Sequence, residues 1–103
     1  MASYASLDSA AIIGAGIDRH LAKATARHTM IVNIAGIPTV CRVVLQGSHD
    51  GFNWTDIAQL QSAGNGLVNT TADGALVSWV RADLRELVGV AKITATIASD
   101  DGT

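Results

Sequence analysis

The side chains able to do chemistry are few and scattered. Asp18, His20, His28, Cys41 and His49 are of metal-ligating type, and Asp18 and His20 would share one face of a strand. Nothing nearby completes a ligand set, so the expectation is surface or loop histidines and no metal. Cys41 lies in an alternating segment beside Arg42, which predicts a small core residue, not a nucleophile. Gly14-Ala15-Gly16 is a fragment of a dinucleotide loop without its third glycine and reads as a strand irregularity. No serine occupies a nucleophile elbow and no His is set beside a carboxylate for acid–base work. The expectation is a chain with no catalytic residue, no metal and no cofactor. Asn53-Trp54-Thr55 and Asn69-Thr70-Thr71 satisfy the glycosylation sequon, which matters only in a eukaryotic secretory route. Arg81, Asp83, Arg85 and Glu86 alternate in sign as a solvated face does, or as an ion-pairing patch towards a neighbouring subunit would.

The elements that would carry these residues are strands. From about residue 28 onwards, short segments of alternating polarity are separated by Gly, Pro, Asn and Asp, the pattern of an all-β chain. Met30, Val32 and Ile34 share one face before Gly36-Ile37-Pro38 breaks the run. Cys41, Val43 and Leu45 form the next inward set. Asp50-Gly51 suits a tight turn, and Trp54 follows as a plug for one end of the core. Residues 61–74, rich in Ser, Gly, Asn, Thr and Asp, read as a mobile loop around one weak strand at Leu67–Thr70. In Leu76–Ala82 either face could be inward: Val80 facing the core would turn Trp79 outward as an interface anchor, and the alternative is a Trp79 that caps the edge of the core. Asp83–Leu87 fits one helical turn, and Ala91, Ile93, Ala95 and Ile97 form a last inward set. Residues 11–17 are expected as a strand, residues 1–10 as an N-terminal arm free in solution, and 99–103 as a frayed tail.

Bulk properties narrow the function. At 103 residues the chain has room for one two-layer core and no second domain. Apolar residues make up 49% and charged ones 16%, against about a quarter charged in ordinary domains, so part of an uncharged surface is expected to be covered by a partner. No apolar run approaches the ~18 residues of a membrane span. The formal charge of −2, with basic residues unclustered, argues against nucleic acid. The lone Cys41 suits a reducing cytoplasm, and Met1–Ala11 has no basic start or long apolar core that would direct export.

The stretch from Val43 to Ile57, VVLQGSHDGFNWTDI, is a strand, a tight turn and a returning aromatic. It resembles the G-S-x-D-G-x-x-W pattern of discoidin-like, coagulation-factor C-type jelly rolls and of compact β-sandwich proteins of tailed phages. Trp79-Val80-Arg81-Ala82 is similar to the aromatic-Val-Arg strand that follows in those families, and Ala91–Ile97 to their final strand. The likeness covers roughly residues 28 to 98, and the short length and single cysteine bring the chain nearer the phage type. The resemblance implies a small antiparallel, jelly-roll-like β-sandwich over residues 11–98, and a capsid decoration or minor structural protein made in the bacterial cytoplasm and placed on the virion.

The expected partners are therefore the major capsid protein and copies of the chain itself, as a dimer or trimer, with no nucleic acid and no membrane. The expected contact residues are Ser3, Tyr4 and Leu7 of the arm, with Trp79 and Arg81. The competing expectations are a carbohydrate-binding module for attachment to a cell surface, for which exposed aromatics are scarce, and a tail or baseplate subunit.

Overall fold

The computed structural model describes residues 2–62 and 66–99, apart from the side chains of residues 2, 3, 22–25 and 75. Its strands are β1 (Ala2–Ala10), β2 (Gly14–Ala15), β3 (Arg19–Gly36), β4 (Val40–Ser48), β5 (Thr55–Ser62), β6 (Gly66–Val88) and β7 (Ala91–Ser99), with no helix among the described residues. All pairings are antiparallel and run in the order β1-β7-β3-β6-β4-β5, with β2 attached to β6. The chain is an all-β sandwich of two antiparallel layers.

Two long strands make two layers from one hydrogen-bonded path. The first half of β6 pairs with the second half of β3, which pairs with β7 and so reaches β1. The second half of β6 pairs instead with β4, which carries β5. Between the halves, register shifts interrupt β3 from His20 to Arg27, and Gly74 takes φ +106°. Bulges bend strands and increase local twist, which lets the sheet fold over on itself. The inward sets meet between the layers: Met30, Val32 and Ile34 with Ile93, Ala95 and Ile97 on one side, Cys41, Val43 and Leu45 with Val80, Ala82 and Leu84 on the other. These side chains are at most 2% exposed. Each large aliphatic among them contributes about 1.5–3 kcal/mol of burial.

Several expectations are corrected. Residues 2–10 are not a free arm but the edge strand β1, paired with β7 from Ala2↔Ser99 to Ala10↔Ile93. Of residues 11–17 only Gly14–Ala15 is strand. Asp83–Leu87 is not helical; it continues β6, and the register shift opposite Arg42 and Val43 breaks the alternation there. The expected strand at Leu67–Thr70 lies within β6, but the loop expected around it over 61–74 is also largely strand, with β5 ending at Ser62 and β6 starting at Gly66, while residues 63–65 lie outside the described residues. Ser99 is buried in β7 and bonds His28, so it is no part of a frayed tail; residues 100–103 lie outside the described residues.

Candidate functional site

The Ser48–Asn53 turn is rigid because its side chains replace the ladder. The Asp50 carboxylate accepts from the Phe52 and Asn53 amides at 2.8 and 2.9 Å, from the Ser48 hydroxyl at 2.9 Å and from Asn53 Nδ2 at 2.7 Å. These donors, the Asn53 and Phe52 amides first, hold its carboxyl far below the ordinary carboxylate range. Ser48 Oγ accepts from the Gly51 amide at 2.9 Å. Gly51 is needed here, since it takes φ +80° and a Cβ on it would stand 3.2 Å from the Trp79 ring. Phe52, at the tip, is 85% exposed.

Trp54 does not plug the core. It lies half-buried on the outer side of the β4–β5–β6 layer, with the Arg81 guanidinium 4.2 Å over its ring. Arg81 Nε donates to Gln46 Oε1 at 2.8 Å, and Gln46 Nε2 donates to Asp56 at 2.9 Å. Arg85 forks onto Asp56 at 2.6 and 2.8 Å and reaches Asp83 at 2.9 Å. Hydrogen bonds from Arg85 and then Gln46 hold the Asp56 carboxyl down. Arg85, Asp83 and Asp56 are thus paired within the chain, while Arg42 Nε stands 3.8 Å from Glu86 without a hydrogen-bond partner among the described residues. Trp79 is half-buried and stacked on His20, ring centroids 4.5 Å apart, so it is not a bare outward anchor.

Two of the expected arm contacts, Tyr4 and Leu7, are engaged within the chain's own fold. Tyr4 donates its hydroxyl towards the Val80 carbonyl at 2.7 Å and the Ile17 carbonyl at 3.0 Å, and burial pushes its phenol up to about 12. Leu7 is 5% exposed and belongs to the core. Ser3 pairs through its backbone with Ala98, and its side chain lies outside the described set. No cluster of three or more metal-ligating side chains forms among the described residues. His28 is buried, not on the surface, and bonds Ser99 through Nδ1 at 2.8 Å. Cys41 is buried, which pushes its thiol up.

Sequence reasoning missed the contrast between the two outer faces. Opposite Met30, Val32 and Ile34, the outer face of the β1–β7–β3–β6 layer carries Thr29, Ile31 and Asn33, flanked on β7 by Thr94, Thr96 and Ala98 and on β6 by Leu67, Asn69 and Thr71. Leu67 is 69% exposed, and charge appears on this layer only at its margins, at Asp8 on the edge strand β1 and at Arg27, Asp73 and Lys92 towards the strand ends. The other outer face carries Arg42, Asp56, Arg81, Asp83, Arg85 and Glu86. The signal lay in the T-A-T of Thr94–Thr96 and the N-T-T of Asn69–Thr71, outward positions filled by uncharged residues.

No protein-family model matches the chain, and no curated protein matches it. Solved structures do. The SPBc2 prophage-derived protein YomS is 12% identical with a TM-score of 0.61, over 93% of this chain and 90% of that one. The PBSX exported protein XepA is 14% identical with a TM-score of 0.61, over 99% of this chain but 36% of XepA. Chitosan-binding module 1 of a chitosanase/glucanase from Paenibacillus sp. IK-5 is 15% identical with a TM-score of 0.58, over 93% and 75%. At these identities the likeness is one of fold.

Proposed function

We propose that the chain is a phage virion structural protein of the decoration type, which binds the major capsid protein and copies of itself on the outside of the shell. The observation that carries this reading is the asymmetry of the two outer faces. A sandwich standing alone in water has no reason to keep one broad sheet face almost free of charge while crowding the other with ion pairs. A sandwich lying on a shell does, because charge-depleted surface is what the centre of an interface uses. Likeness of fold to a prophage-derived protein fits the setting. Each contact need not be strong, since repetition over a lattice multiplies weak binding.

A carbohydrate-binding role has less support. Sugar platforms use exposed aromatic faces, and here Arg81 covers Trp54 while His20 covers Trp79, which leaves Phe52 as the large exposed ring among the described residues.

Co-sedimentation with capsids of the phage that carries this chain tests the reading. Saturable, stoichiometric binding is expected. Ile31→Arg on the neutral face should abolish it, while Glu86→Lys on the charged face should leave it intact. Equal binding by both variants, or retention on glycans in place of capsids, would overturn the reading.

A further inference from the structure

The two ends of the sandwich have opposite shapes. At one end the turn at residues 36–39 lies against the turn at residues 88–91, joined by Ile37 N to Val90 O at 3.3 Å and Thr39 N to Val88 O at 2.7 Å. The turns are in contact: a Cβ on Gly89, which takes φ +107°, would stand 3.0 Å from Pro38 Cα. From this rigid base project Val90, 91% exposed, Ile37, 81% exposed, and Val88, 51% exposed. None of the residues in either turn is charged. Together they form a convex aliphatic knob, the kind of exposed apolar surface that marks an interaction site.

At the other end is a half-open pocket of about 230 Å³, with Ile57, Leu76 and Val77 among its apolar lining and His49, Asn53 and Thr55 on its polar side. No carboxylate or amine belongs to its wall. The rim is held by the Asp50-centred turn, which fixes Asn53 through both its amide and its side chain. A cavity of about 150 Å³ admits a benzene ring, so this one has room for the Val90 side chain and part of Ile37.

We infer that copies of this chain associate head to tail, the Ile37–Val90 knob of one copy entering the Leu76–Val77 pocket of the next. A second copy fits because both surfaces are uncharged and complementary in shape, and because the charges beside them are opposite: Lys92 follows the knob in the chain, and Asp50 flanks His49 at the pocket. Among the described residues Lys92 makes no salt bridge, which leaves its amine for a neighbour. Knob and pocket sit at the two ends of β4, whose nine residues span about 30 Å at ~3.4 Å each. One contact therefore cannot satisfy both, and the interface is heterologous, closing into a ring or running on as a chain. The neutral sheet face runs between the ends and stays open to a shell, so this association goes beyond capsid binding and is measurable without capsids.

The test is sedimentation velocity on the purified full chain over a wide concentration range, with Val90→Asp for the knob, Ile37→Lys as a second knob variant and Leu76→Asp for the pocket. All three sites are exposed, and circular dichroism melts check that the fold persists. The wild type should grow in mass with concentration, and each variant alone should associate at least tenfold more weakly. Mixed, Val90→Asp keeps a sound pocket and Leu76→Asp a sound knob, so the pair should form a one-to-one dimer and nothing larger. A wild type that is monomeric throughout, variants that associate like the wild type, or a mixture that fails to pair would each overturn the inference. Capsid co-sedimentation is scored separately, so failure of one reading is distinguishable from failure of the other.

Discussion

Ser6 lies where β1, the β2 region and β6 meet, and its removal measures how firmly the N-terminal strand belongs to the fold. Its side chain is 2% exposed. Its Oγ donates to the Ile17 carbonyl at 2.8 Å and accepts from the Ala82 amide at 2.8 Å, while its own carbonyl accepts from the Ile17 amide at 2.7 Å. In Ser6→Ala the Ile17 carbonyl, at a residue 66% exposed, remains satisfied by solvent, the single Tyr4 proton being shared with the nearer Val80 carbonyl. The Ala82 amide does not, because Ala82 is 0% exposed and Oγ was its side-chain acceptor. Leaving one buried donor unpaired costs about 1–3 kcal/mol. A domain of this size loses about 4–8 °C of Tm per kcal/mol, so a cost of ~2 kcal/mol lowers Tm by about 8–16 °C. Differential scanning calorimetry at neutral pH reads this directly, with urea unfolding as a second route. A shift below about 2 °C would mean that β1 is not docked as described and that residues 2–10 behave as an arm after all.

Gly51→Ala forces a residue with a Cβ into φ +80° and against the Trp79 ring at 3.2 Å; a loss of about 1–2 kcal/mol with a changed tryptophan emission spectrum is expected. Asp50 and Asp56 have folded-state carboxyls held below their ordinary values, so the unfolded chain binds protons first as pH falls. Their contribution is complete above about pH 4, the unfolded range, and is lost as pH drops through the folded values; urea titrations from pH 6 to 2 should show this fall, and Asp50→Asn should flatten it. Cys41 is 0% exposed with its thiol pushed up by burial, so an aromatic disulfide reagent should label it at the unfolding rate in native buffer and at once in denaturant.

The parts of the fold legible in the sequence are those where alternation is unbroken. Met30 to Ile34, Cys41 to Leu45 and Ala91 to Ile97 read correctly because one face of each is apolar and fully buried. Reading failed where irregularity interrupts the period. In β1 a register shift follows Ala5, so adjacent Ser6 and Leu7 are both buried and no alternation marks the strand. In β6 the shift opposite Arg42 and Val43 inserts Arg85, and the resulting D-L-R-E-L imitates a helical turn. Leu67–Thr70 was legible as a strand, but its continuation through Thr71–Gly74 resembled a loop because Thr, Asp and Gly suit a turn as well as an outer sheet face. The site was less legible than the fold. That Trp54 would lie under Arg81, and Trp79 against His20, depends on which strands pair across the sheet, and no local spacing encodes that. The tight turn at Asp50-Gly51 was legible because its side chains bond within the same few residues.

The most direct test of the central claim is amide hydrogen exchange on the protein free and bound to capsids, resolved by peptide. Added protection is expected in β7, the second half of β3 and the first half of β6, which carry the neutral outer face, with β5 and the second half of β6 unchanged. Protection confined to the charged β4–β5–β6 face, or a bound state indistinguishable from the free one, would contradict it.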